Sequence, residues 1–197
     1  MKPSSGLRAS EYSVATIPLA QCRELIAAHH YAKGSANTAT FRHGLIQNSG
    51  TDGLLCGRVV GCAVWIPPTK SAALATYPQD WRGVLALSRL VVLPDQPTNS
   101  ASFLIGRSIR LIRQDPRWKC LVTYADDYQG HAGTIYKATN WESCGKTAPH
   151  PTWVDCDGRM VARKAGPKTR TRAQMEQLGY TMIGRFSKHK FRIVLES

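Results

Sequence analysis

Apolar and polar positions change rhythm several times along the chain, and each rhythm predicts an element. Residues 12–17 (YSVATI) alternate in strand fashion, and Pro18 then opens LAQCRELIAAHHY, whose apolar positions recur at helical spacing. Phe41 to Gln47 and Arg58 to Ile66 are rich in β-branched and aromatic residues, with the turn formers Asn48, Ser49, Gly50, Asp52 and Gly53 between them, so they predict a hairpin that Pro67 and Pro68 end. Val84 to Leu93 (VLALSRLVVL) is apolar except at Ser88 and Arg89, the composition of a central strand buried on both faces. Asn99 and Ser100 are good caps for a helix over ASFLIGRSIRLIRQD, whose broad apolar face runs to Pro116. CLVTYADD reads as a strand ending in acids, QGHAGTIYKATNW as a glycine-punctuated turn into a short helix, and Phe186 to Leu195 as the closing strand.

The predicted order is β-α-β-β-β-α-β-α-β, with a hairpin ahead of the buried strand and helical connections after it. That order implies an α/β (α+β) fold with a central mixed sheet flanked by helices, and such sheets bind ligands beyond the carboxyl ends of splayed central strands. With 197 residues, 43% of them hydrophobic, the chain supports one well-buried core. One domain over 1–197 is expected, with residues 1–10 flexible and a basic region at 157–192 inside it.

Charge narrows the partner. Lys and Arg number 26 against 13 acids, a net charge of +13, which attracts polyanions. Between 157 and 192 lie ten basic residues (Arg159, Arg163, Lys164, Lys168, Arg170, Arg172, Arg185, Lys188, Lys190, Arg192) against Asp157 and Glu176, so +8 of the +13 is concentrated there. Interleaved with Thr169, Thr171, Tyr180, Phe186 and Phe191, this stretch is the expected phosphate-binding surface, with Arg163, Lys164, Lys168, Arg170, Arg172, Lys188 and Lys190 as the contacts. Apolar stretches such as Val59 to Pro67 fall far short of the roughly 20 residues needed to span a bilayer, and residues 1–20 lack a basic start followed by an apolar run. A soluble cytoplasmic protein is therefore expected, with no membrane partner. The six cysteines (Cys22, Cys56, Cys62, Cys120, Cys144, Cys156) form no C-x-x-C pair, which fits reduced thiols rather than a zinc knuckle.

Residues Ala132 to Trp141 (AGTIYKATNW) are similar to the late helix A-x-x-x-Y-x-x-x-G-F of the GNAT superfamily of N-acyltransferases, with Asn140 and Trp141 in the last two places. Four further segments resemble the Mom family of phage DNA-modification proteins: HHY at 29–31, LSRL at 87–90, LP-x-x-x-x-NSAS at 93–102 and YADDYQGHAGTIY at 124–136. The resemblance implies a GNAT-like acyltransferase fold that converts adenine in double-stranded DNA to an N6-carbamoylmethyl derivative, shielding phage DNA from restriction inside a bacterial host. A homodimer is the oligomer allowed for. The alternatives are an acetyl-CoA-dependent N-acetyltransferase acting on a protein, tRNA or small amine, and a non-catalytic DNA-binding module.

Candidate chemistry sits in these segments. Adjacent helical residues point about 100° apart, so only one of His29 and His30 faces a given pocket, and His30 with Tyr31 is the choice. Asp126 and Asp127 end a buried strand, where two carboxylates need a partner, solvent or a task; Asp126 matches the family's Ala-Asp and is expected to orient the amine. Arg89 interrupts an apolar strand, and reads either as an ion-pair partner of Asp126 or as a substrate contact. Tyr136 stands where many GNAT enzymes place a general acid, and reads equally as a packing aromatic. Ser100 completes the catalytic set of His30, Tyr31, Ser100, Asp126 and Tyr136, and the polar residues near 30, 100 and 126 are expected to converge on one cavity.

The cofactor is not identified by the sequence. GNAT enzymes hold the acyl-CoA pyrophosphate on a glycine-rich R/Q-x-x-G-x-G/A loop, and this chain has PDQPTNSASFLIGR there, which argues against an acyl-CoA donor. Asn99, Ser102, Gly130, Gly133 and Thr134 are the candidate contacts for another donor. His30, Tyr31 and Asp126 together could offer a sparse oxygen and nitrogen site for iron. An adenine inside a duplex must leave the stack to react, with Tyr124, Tyr128 or Trp141 as the ring it would stack on.

Overall fold

The computed structural model describes residues 6–31, 39–48, 57–165 and 168–195. Of the sequence readings, residues 1–5 of the flexible start, the turn residues Ser49, Gly50, Asp52 and Gly53, and Cys56 lie outside these. Elements follow in the order β1 (Tyr12–Thr16), α1 (Leu19–His29), β2 (Phe41–Asn48), β3 (Gly57–Ile66), α2 (Lys70–Leu74), β4 (Val84–Val92), α3 (Ser100–Ile112), β5 (Cys120–Asp126), α4 (Thr134–Lys137), β6 (Glu142–Lys146), β7 (His150–Val154), β8 (Met160–Val161), β9 (Lys164–Ala165), β10 (Lys168–Thr169), α5 (Arg172–Gln177), β11 (Thr181–Phe186) and β12 (Lys188–Val194). No helix among the described residues is long and apolar enough to cross a membrane.

Two compact units divide the chain. The first comprises Met1–Tyr124, Gly133–Cys144 and Phe191–Ser197; the second comprises Ala125–Ala132 and Gly145–Lys190, and so takes in most of the basic region.

The first unit is built on a seven-stranded sheet ordered β1-β2-β3-β4-β5-β12-β6. β4 runs antiparallel to β3 and parallel to β5, so the apolar run is central and the sheet is mixed, as its composition predicts. Alternation in β3 sends neighbouring side chains to opposite faces. Cys62 and Val64 pack with Ile17, Cys22 and Ile26 of the α1 side, whereas the Trp65 indole reaches Ser108 on α3. Helices therefore cover both faces. Leu104, Ile105 and Ile112 of α3 are fully buried, each worth about 1.5–3 kcal/mol relative to exposure.

α4 is one turn long and is held in place by what flanks it. Gly133, its N-cap, adopts φ 70°, and a Cβ there would overlap the Phe191 ring. Asn140 stands where the GNAT pattern has glycine and takes the same left-handed conformation at φ 61°, which Asn tolerates better than most residues. Trp141 then stacks on Trp65 with centroids 6.4 Å apart and meets Tyr136 edge-on at 5.7 Å.

In the second unit, β11, β7 and β8 form a three-stranded antiparallel sheet, and β9 and β10 a short hairpin ahead of α5. The single closing strand expected over 186–195 is two strands of different sheets that meet at Ser187. Both share the same alternating residue types, so periodicity does not reveal the change of partner.

Candidate functional site

In the first unit, three of the expected site residues gather around Tyr31. His30, the C-cap of α1, stacks its imidazole on the Tyr31 ring at 4.4 Å, while His29 lies exposed on the last helical turn. Burial pushes the Arg89 guanidinium below its usual range, and the Tyr31 phenol acts on it in the opposite sense. Arg89 Nη1 donates to the Ser88 carbonyl at 2.7 Å. Burial also raises Tyr136 above the ordinary phenol value; a side-chain hydrogen bond with Thr123 works against this, and Tyr31 adds to it. Tyr136 is therefore a phenol that keeps its proton at neutral pH, the state required of an acid. It also packs against Phe191 at 5.4 Å, so the catalytic and packing readings are compatible.

The connection from β4 to α3 is poorly suited to a pyrophosphate. Pro94 and Pro97 have no amide hydrogen, and the amides of Gln96 and Ser100 already donate to the carbonyls of Leu93 and Pro97. Asp95 adds a carboxylate, held below its usual range chiefly by the Gln96 amide and also by Arg58. Asn99 adopts φ 73° as N-cap without a side-chain cap bond, and the Ser100 hydroxyl donates to Pro97 O at 2.8 Å. Ser100 is 2% exposed, and its proton is engaged in shaping the first turn of α3. Ser102 is half-buried on the same turn, and Thr134 is exposed at the start of α4.

The second unit carries the acids. Asp126 is 3% exposed; its Oδ1 accepts from the Tyr128 amide at 3.1 Å, and its Oδ2 lies 3.0 Å from Lys188 Nζ in a charge contact. Arg89 reads from sequence as a partner of Asp126 or a substrate contact and Lys188 as a phosphate contact, and the ion pair the structure shows at Asp126 is with Lys188. A buried carboxylate needs a cation, and the lysine that opens β12 supplies it where strand order could not be foreseen. Asp127 accepts from Lys146 at 2.8 Å and meets His189 Nε2 at 2.7 Å, and these contacts, the Lys146 ammonium foremost, hold its carboxyl below the usual range. Gly130 adopts φ 69° after the short turn Asp127–Gln129.

Among the described residues no cluster of three or more His, Cys, Asp or Glu side chains gathers as metal ligands.

The basic residues divide by their partners. Arg163 clamps the Arg170 carbonyl with Nε and Nη2 at 3.0 and 2.8 Å, and Arg172 pairs with Glu176 at 2.8 Å. Lys164 and Lys168 are exposed. Trp141, a candidate for base stacking, is 5% exposed and belongs to the core of the first unit. Tyr124 is half-buried beside Ala73, Val84, Ala86, Cys120 and Val122, and Tyr128 packs on Phe186 at 5.0 Å.

Sequence reading missed a buried polar triad in the first unit. Trp65 Nε1 donates to Ser108 Oγ at 2.7 Å, and Ser108 in turn meets His43 Nδ1. His43 is 2% exposed, and burial drives it from 6.5 down to about 4. The signal was a serine in the apolar face of α3, opposite a histidine in an apolar strand.

Comparison with known proteins follows this geometry. The fold is that of GNAT acetyltransferases: the chain superposes on Arabidopsis thaliana NAA60 in complex with acetyl-CoA at TM-score 0.57 and 9% identity, covering 93% of this chain and 99% of that one. An N-acetyltransferase from Staphylococcus aureus Mu50 gives TM-score 0.52 at 11% identity over 94% of this chain and 99% of that one. In sequence, the chain is 29% identical over 157 residues to the methylcarbamoylase mom of Escherichia phage Mu, a span covering 78% of this chain and 61% of that protein. The Mom protein family model matches residues 11–195. With nearly all of the described elements inside that match, the chain belongs to the Mom protein family.

Proposed function

We propose that this protein is a DNA-modifying transferase that places a carbamoylmethyl group on N6 of adenine in double-stranded DNA and so protects phage DNA from restriction. The observation that carries the reading is the family match over 11–195, together with the likeness to a protein named methylcarbamoylase. The GNAT-like fold and the net charge of +13 agree with group transfer onto a polyanion.

The adenine leaves the duplex stack to react. Its N6 lone pair forms the new C–N bond, the donor's leaving group departs with its bonding pair, and one N6 proton is lost. Within the first unit, His30 accepts the proton and Tyr136 protonates the leaving group; orienting the amine is the role we give Asp126, which pairs with Lys188. The prolines, the occupied amides and Asp95 in the β4–α3 connection speak against acyl-CoA as donor, so no step is drawn through it. Nucleoside mass spectrometry on plasmid from expressing cells tests the proposal. A deoxyadenosine heavier by one carbamoylmethyl group is expected. Unmodified nucleosides, or adenine carrying an acetyl group, would overturn it.

A further inference from the structure

Six of the ten basic residues in the 157–192 region have their charge occupied inside the protein: Arg159 by Asp157, Arg163 by a carbonyl, Arg172 by Glu176, Arg185 by the Pro149 carbonyl, Lys188 by Asp126 and Arg192 by Glu142. Lys168 and Arg170 have no such side-chain partner among the described residues, and both line one groove of about 760 Å³ within the second unit. That volume falls within the ~300–1,000 Å³ of ligand-binding clefts.

The rest of the lining complements a nucleotide. Leu178, 51% exposed at the end of α5, gives the groove an apolar face. Gln174 spends its Oε1 on the Thr171 amide at 2.9 Å and keeps its amide hydrogens, and the Gln177 amide has no partner among the described residues. Cations for phosphate, an apolar face for a base or sugar and an open carboxamide for a base edge are the elements of nucleic-acid contact.

We propose that this groove grips double-stranded DNA: Lys168 and Arg170 neutralise phosphates, Leu178 packs against the sugar–base surface, and Gln177 reads one base edge. The inference rests on the DNA-modifying reading above and locates where the second unit meets that substrate. A neutral ligand would leave two unscreened charges unanswered, and a protein partner without acidic character would do the same.

The test is fluorescence anisotropy of labelled duplex DNA with the full chain across a salt series, for wild type, Lys168→Ala, Arg170→Ala, Gln177→Ala and Arg117→Ala, whose guanidinium pairs with Asp115 in the first unit. Lys168→Ala and Arg170→Ala are expected to weaken binding to every duplex and to reduce the salt slope by about 1 each, while Arg117→Ala leaves the slope unchanged. Gln177→Ala is expected to keep the slope and lose discrimination on the order of tenfold at one base pair, read by selection from randomised duplexes. Wild-type slope and preference in all variants of a protein that binds and modifies DNA would overturn the groove and leave the function standing. Wild-type protein that binds no duplex would overturn both. Equal affinity for polyglutamate would overturn the nucleic-acid assignment of the groove.

Discussion

The buried His43 should make this protein progressively less stable on the acid side of neutrality. In the native state the imidazole is 2% exposed, its Nδ1 faces Ser108, and its titration is pushed from 6.5 to about 4 by burial. Trp65 donates to the same hydroxyl, which keeps its own proton available for a neutral imidazole but has nothing to gain from a charged one that can only donate. The unfolded chain takes up a proton below about pH 6.5, whereas the folded chain waits until about pH 4. Between those values the unfolded state binds more protons, so the stabilisation present above pH 6.5 is lost as pH falls through the window, at up to about 1.4 kcal/mol per pH unit. Roughly 2 kcal/mol is lost between about pH 7 and pH 5, and about 3 kcal/mol in all, a large part of a typical 5–15 kcal/mol. Urea denaturation at several pH values, comparing wild type with His43→Gln, isolates the effect, since other titrating groups cancel between the two. The variant keeps an acceptor for Ser108 but cannot ionise, and should show the shallower pH dependence. Parallel pH profiles would refute the argument. Ser108→Ala strands both the indole N–H and the imidazole nitrogen and should cost about 1–3 kcal/mol for each; a neutral result would show that the triad contributes nothing.

Three further outcomes follow from the sites described. Asp126→Asn keeps the acceptor for the Tyr128 amide but loses the charge facing Lys188, and should lower adenine modification by about 10²-fold or more with the fold retained by circular dichroism; activity near wild type would exclude Asp126 from the chemistry. Gly133→Ala forces a Cβ into the Phe191 ring at φ 70° and should lower stability by a few kcal/mol in denaturant melts, and an unchanged midpoint would contradict the packing of α4. Calorimetry with coenzyme A should show no binding, and a measurable heat of association at micromolar affinity would restore the acyl-CoA reading.

In the sheet of the first unit, β1 to β5 are legible because they are apolar or alternating runs bounded by prolines and turn formers, whereas the short, largely exposed edge strand β6 (Glu142–Lys146) is not. Val84–Val92 and Cys120–Asp126 are recognisable by composition alone. The second unit was not. Its strands β7 to β10 are two to five residues long and half-exposed, so no alternation rises above the turn residues around them. Among the candidate site residues, His30, Tyr31, Arg89 and Tyr136 stand out in the sequence because motifs or a misplaced charge mark them. The partner of Asp126 does not, since Lys188 follows it by more than sixty residues and enters through strand order, which local pattern does not encode. Ser100 was read as chemistry where the structure gives its hydroxyl to a carbonyl, a choice that capping preference alone could not decide.

The segment joining β4 to α3, with its two ring nitrogens and the Asp95 carboxylate, carries a pharmacological consequence. Bisubstrate compounds that address acetyltransferases through an adenosine-diphosphate handle would meet repulsion here instead of a welcoming row of amides. Where calorimetry finds no coenzyme A bound, inhibitors would be sought away from that segment, and a cell's abundant thioester pool would not be expected to mask the true donor in crude extracts.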